Sequence, residues 1–172
     1  MRSALCLLTV SGALMFGGCA SYVNIPPQVG DLALHSPNHP TVALVEAEAI
    51  RGLVLEQPPD LPYQVSLPPK TSSSSYETVL KHLGENAQWP EEGPQAGVPV
   101  LEVRQLRLRG WYAQVDVLRP SSFNQPDGPT QLTTVWLKWY PFAGWRFQRA
   151  HVWSLGVDEA LSESRRLAEY SE

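Results

Sequence analysis

Residues 98–120 read VPVLEVRQLRLRGWYAQVDVLRP and residues 132–153 read LTTVWLKWYPFAGWRFQRAHVW. Each is a long run of β-branched and aromatic residues with one turn signal inside it, Arg109-Gly110 in the first and Pro141–Gly144 in the second. Such runs form antiparallel hairpins. In the first hairpin Leu101 and Val103 have one parity and Leu106 and Leu108 the other, so a bulge near Arg104-Gln105 is needed to restore one apolar face. The returning strand alternates cleanly, with Trp111, Ala113, Val115 and Val117 on one side and Tyr112, Gln114 and Asp116 on the other.

The second hairpin has no polar face. Val135, Leu137 and Trp139 point one way, while Trp136 and Tyr140 point the other, beside Lys138. On the following strand, strict alternation places Trp145, Phe147 and Trp153 with Arg149 and His151, opposite Ala150 and Val152. An antiparallel sheet with one wet face should alternate apolar and polar residues. Large aromatics on both sides therefore require a second cover, a concavity or a partner.

Upstream of the hairpins lie two helical patterns. In TVALVEAEAIRGLVLEQ (41–57), Val42, Val45, Ala49, Ile50 and Leu53 recur at helical spacing, with Glu46, Glu48 and Arg51 off that stripe and Pro58-Pro59 ending it. In SSSSYETVLKHLG, Ser74 and Glu77 have capping-box spacing, Tyr76, Val79, Leu80 and Leu83 share a face, and Gly84 stands at the C-terminal cap. Between the two, PYQVSLP (62–68) alternates as a short strand flanked by prolines, a pattern suited to a sheet edge. The acidic segment DEALSESRRLAEY predicts a short C-terminal helix or tail over 158–172. The expected fold is α+β: a curved antiparallel sheet of four to five strands packed on two N-terminal helices, within a single domain spanning 41–157.

The chain begins MRSALCLLTVSGALMFGGCAS, with one charge (Arg2), an apolar run from Ala4 to Phe16 and then small residues, which is the order of a secretory signal. The run is shorter than the roughly 20 residues needed to span a bilayer. Phe16-Gly17-Gly18-Cys19 resembles a bacterial lipobox, although Phe16 stands where an aliphatic residue is usual. That resemblance implies removal of residues 1–18 and acylation of Cys19, with the protein held to a membrane by lipid. Cleavage after Ala20 is the alternative, because Gly18-Cys19-Ala20 also offers small residues at suitable spacing. Cys6 lies in the leader and is lost either way, so no disulfide is available to the mature chain. Residues 19–40 are Pro-rich and read as a tether or strap. The pattern of leader, tether and small domain is similar to small lipoproteins of bacterial envelopes, and Ala20 after the cysteine favours the outer membrane over the inner.

Arg2 is the only charge in residues 1–18, so 12 of the 13 basic and all 17 acidic residues remain, a net of −5. Without a basic tail, nucleic-acid binding is disfavoured, since it rests on neutralising phosphates. No nucleophile elbow, phosphate loop, H-E-x-x-H or C-x-x-C occurs. His35 and His39 are separated by Pro37 and carry no companion ligands at metal spacing, so neither a metal nor a cofactor is expected.

The element order helix, strand, helix, four strands resembles cystatin-like and NTF2-like domains over roughly residues 41–153. That likeness implies a curved sheet around a helix and, in NTF2-like enzymes, acid–base chemistry by pocket Asp and His residues. Asp116 and His151 are the one pair here that could play those parts. Asp116 could equally pair with Arg104, Arg107, Arg109 or Arg119. Three roles therefore stand in order: a non-enzymatic domain binding an envelope protein or polysaccharide through its aromatic or arginine-bearing face; an NTF2-like ligand pocket; and a carbohydrate module using Trp136, Tyr140 or Trp145.

Overall fold

The computed structural model describes residues 23–28, 36–55, 57, 61–90, 93–154 and 157–170. The signal segment 1–18, Cys19 and His35 lie outside the described residues. The fold is α+β. Its strands are β1 (Val23–Ile25), β2 (Tyr63–Ser66), β3 (Ala87–Gln88), β4 (Val100–Arg109), β5 (Tyr112–Pro120), β6 (Thr130–Tyr140) and β7 (Gly144–Val152). The helices are α1 (Pro40–Val54), α2 (Ser73–Leu83) and α3 (Val157–Tyr170).

The seven strands form one sheet in the order β3-β2-β4-β5-β6-β7, with β1 also paired to β4. It is mixed, which corrects the expectation of a purely antiparallel sheet of four to five strands. β2 runs parallel to both β3 and β4. It is therefore interior, not an edge, and this is tolerated because Pro62 and Pro68 fall just outside its paired residues. The edge is instead the two-residue β3, reached from β2 through α2, as a parallel neighbour requires. β1 pairs antiparallel with β4, Val23 opposite Leu108 and Ile25 opposite Leu106. Part of the strap is thus a strand of the sheet, too short to show any periodicity.

α1 and α2 cover the inner face. Leu101, Val103, Leu106, Ala113, Val115, Val117, Val135 and Leu137 point into this layer and are buried. Each large aliphatic side chain withdrawn there contributes about 1.5–3 kcal/mol. The register shift between Val103 and Gln105 is the bulge that brings Leu101 and Val103 onto the same face as Leu106 and Leu108. Gly110, at φ 55°, occupies the two-residue turn between Arg109 and Tyr112. The helix α1 crosses β4 to β7, and Gly52 lets it lie against β7, since a Cβ there would be 2.1 Å from the Phe147 ring.

A second bulge, between Trp136 and Leu137 on the β6–β7 ladder, was not legible in the alternation. It adds a residue near Gln148, so Trp145 and Phe147 share the inner face with Ala150 and Val152. Arg149 and His151 move to the outer face. That corrects the strict alternation read for this strand.

The helix starts also differ in one respect. α1 is capped by His39, whose Nδ1 accepts the Thr41 N–H at 3.2 Å. α2 is capped by Ser72, which accepts the Ser75 N–H at 3.3 Å, rather than by Ser74. Any serine of the run 72–75 could cap locally. Asn38 decides the register, its Oδ1 accepting the Ser72 N–H at 2.6 Å and the Ser75 hydroxyl at 3.1 Å. Tyr76 then reaches back, accepting the Leu67 N–H at 2.7 Å and stacking on Trp89.

Candidate functional site

The outer face of the sheet is divided in two. α3 covers one half, and beneath it lies a buried polar network. Arg107 donates from Nη2 to Asp116 Oδ2 at 2.7 Å, with both side chains almost wholly withdrawn from water. Arg107 also donates to Gln105 at 3.3 Å, Gln114 at 3.4 Å and the Ser164 hydroxyl of α3 at 3.2 Å. The second carboxylate oxygen, Oδ1, accepts from Thr134 at 2.6 Å and Ser164 at 2.9 Å. The Trp153 indole in turn donates to Thr134 Oγ1 at 2.9 Å, and Arg165 of α3 donates to Gln105 at 3.1 Å. Charges buried this deeply persist because each is paired and hydrogen-bonded.

This arrangement bears directly on Asp116 and His151. The register places Asp116, Thr134 and His151 side by side on one row of the outer face. Two strand spacings separate the acid from the imidazole, about 10 Å. Thr134 lies between them, Asp116 is saturated by Arg107, Thr134 and Ser164, and His151 is exposed with its ring edge-on to Trp153. A general base must come within hydrogen-bond reach of its partner or substrate. Here the carboxylate organises the interior, and the pair is not an acid–base dyad.

The other half of the outer face is open. Successive rows carry Tyr112, Lys138 and Arg146, then Gln114, Trp136 and Arg149, then His151. Lys138 Nζ lies 5.4 Å from the Tyr112 ring centre and 5.3 Å from that of Tyr140, and the Arg149 guanidinium sits 4.6 Å above Trp136. Among the described residues the one carboxylate on these rows is Asp116, buried under α3 at the far end of the His151 row, as Gln114 is buried beside Arg107. The sugar-stacking set is not assembled: Trp136 and Tyr140 are here, with cations over their rings, while Trp145 is on the inner face. The arginine set is dispersed too. Arg107 is in the buried pair, Arg104 is bound to Glu102 at 3.1 Å, and Arg109 stands at the hairpin end beside Tyr112. Lys138, Arg146 and Arg149 supply the cationic surface, and sequence reasoning missed them as a group because the bulge in the β6–β7 ladder sets which way the arginines point.

On the inner side, where α1 meets the β6–β7 hairpin, there is a groove of about 490 Å³ bordered by Leu44, Glu48, Arg51, Trp139, Trp145 and Arg146. Trp111 packs edge-on against Trp139 at its mouth, at 5.1 Å. Glu48 is held there by Arg51 and accepts the Phe147 N–H.

Glu46 stands off the apolar stripe of α1 in the sequence, yet it is completely buried and neither carboxyl oxygen has a hydrogen-bond partner. Burial pushes its pKa from 4.5 up to about 8, so it is a neutral acid through most of the physiological range. Among the described residues no cluster of His, Cys, Asp and Glu could hold a metal, and no helix is long and apolar enough to cross a membrane. No family model, curated protein or solved structure matches the chain.

Proposed function

We propose that the protein is a non-enzymatic domain of the cell envelope, held to the outer membrane on its periplasmic side by lipid on Cys19, that binds an acidic envelope polysaccharide. The observation that carries this reading is the open half of the outer face, where Lys138, Arg146 and Arg149 stand on rows without a carboxylate among the described residues, on a chain that is acidic overall. A cationic surface on an acidic protein attracts polyanions while the remainder repels them. Cations over Trp136, Tyr112 and Tyr140 hold their charge in a fixed position. They also occupy the ring faces a neutral sugar would stack on, which favours charge recognition over a stacking module.

Two measurements test it. Intact-mass analysis of the protein from its native envelope should find a chain beginning with acylated Cys19; a chain beginning at Ser21 removes the anchor. The processed chain should bind immobilised polygalacturonate in low salt, elute as salt rises, and lose retention in a Lys138→Glu/Arg146→Glu/Arg149→Glu variant. Equal retention on neutral dextran, or no effect of the triple substitution, would overturn the binding role.

A further inference from the structure

Among the described residues eight large apolar side chains are exposed; Leu55, Val152 and Leu167 lie apart, and the other five gather together. Trp111 is 54% exposed, Tyr112 59%, Tyr140 37%, Leu44 40% and Phe142 fully exposed. All five lie at one end of the molecule, where the β4–β5 and β6–β7 turns meet at the mouth of the inner groove. Arg109, Lys138 and Arg146 stand among them. The opposite end, the β5–β6 loop, buries its Phe123 and exposes Ser121, Asn124, Gln125 and Asp127.

Phe142 is the most telling of the five. Its backbone lies at φ 68°, the left-handed region that bulky residues seldom occupy. A strained backbone carrying a wholly exposed phenyl ring adds nothing to the stability of the isolated domain. Glycine or asparagine would serve the turn better. Such strain points to function at the position.

The path of the chain supplies the occupant. β1 runs antiparallel to β4, so Val23, opposite Leu108, is its end nearest the turns. Cys19 is four residues before Val23, which a fully extended backbone spans in about 14 Å at most. Gly110, at the turn, is only two residues beyond Leu108. An acyl chain on Cys19 would therefore hold the bilayer within reach of this end. Tryptophan and tyrosine with flanking lysine and arginine are the residues that settle at a membrane–water interface.

We infer that the two hairpin tips dock on the bilayer surface, with Trp111 and Phe142 entering the headgroup region. The inference rests on the anchoring proposed above for how the domain is brought to the membrane. Docking then fixes orientation as well as location: the sheet stands upright, and the rows carrying Trp136, Arg149 and His151 rise above the lipid, clear for the polysaccharide.

The test uses the processed full chain in vesicles of equimolar phosphatidylglycerol and phosphatidylcholine whose acyl chains are brominated, with tryptophan quenching as the readout. Quenching is expected, with Trp111→Phe removing the larger part of it and Trp89→Phe leaving it intact. Phe142→Asp should lower quenching at least twofold without moving the thermal unfolding midpoint, since that ring is fully exposed. Acylated protein that shows no quenching, or quenching unchanged in Trp111→Phe, overturns the docking and leaves the anchor standing. A mass measurement without lipid on Cys19 removes the anchor instead. Quenching of that unacylated chain through Trp111 would still support docking, and its absence would overturn it.

Discussion

The two faces of this sheet solve the burial problem with opposite chemistry. The inner face is sealed by apolar residues against α1 and α2, and the carboxyl group placed among them, Glu46, is protonated and unpartnered. The outer face is sealed under α3 by a charged pair and a chain of hydroxyls and amides, every oxygen of Asp116 satisfied. Apolar contacts tolerate approximate geometry, whereas a buried ion pair demands all of its partners at once. α3 is therefore placed by Ser164 and Arg165 as much as by Leu161, which packs on Leu132 and Trp153. The lesson is that the same strands can carry a generic core on one side and a specific lock on the other.

The comparison breaks most visibly at Arg107. Arg107→Ala leaves Asp116 charged, buried and without its counter-ion, and should cost about 3–5 kcal/mol in urea unfolding. Replacing Arg107 by Met and Asp116 by Leu together should recover part of that loss; a double variant as unstable as the single one would mean the pair is not the lock. Next comes the inner face. Because folding raises the pKa of Glu46, its protonated form favours the native state. That contribution is fully present below pH 4.5 and is lost as pH rises towards and through 8. Unfolding midpoints should fall across that window, and Glu46→Leu should flatten the decline and stabilise the protein at pH 8 by a few kcal/mol. An unchanged pH profile in the variant would show that Glu46 is solvated. Gly52→Ala is smaller, at about 1–3 kcal/mol, since the new methyl meets the Phe147 ring and forces the β6–β7 hairpin off α1; adding Phe147→Leu should return much of it. The least effect is expected on the open half of the outer face. Arg149→Ala should change stability by less than about 1 kcal/mol while weakening polygalacturonate binding, because exposed cation–π contacts contribute little. A large loss of stability there would mean that this surface is structural.

Much of this was legible in residues taken singly. The β4 bulge announced itself because Leu106 and Leu108 are out of phase with Leu101 and Val103, and an apolar residue on the wrong parity has a cost that only a bulge removes. The companion irregularity near Gln148 was silent: Arg149, Ala150, His151 and Val152 alternate on either side of it, and both phases place something large and something polar on each face. Of the residues nominated as partners for Asp116, four arginines were equivalent in sequence, and only the pairing of Arg107 with Gln114, beside the Gln105–Asp116 pair, singled out one. The acidic C-terminal segment reads as a short helix or tail, since Ser164 gives no sign of burial until Arg107 and Asp116 are in place to receive it.

The sequence by itself determined the elements whose cause is local: the hairpins from alternation and turn residues, α1 and α2 from the 3.6-residue stripe, the C-terminal cap of α2 from Gly84. It also carried the lipobox-like run ending at Cys19. Tertiary structure decided whatever depends on two distant segments meeting. Asn38 chose which serine caps α2, parallel pairing with β3 and β4 put β2 in the sheet interior, and β1 turned part of a tether into a strand whose first residue lies nearest the hairpin tips. Periodicity reports which side of one element is apolar. What covers that side, and which charge faces which, is an energy shared between elements, and a single stretch of sequence holds only one half of each such pair.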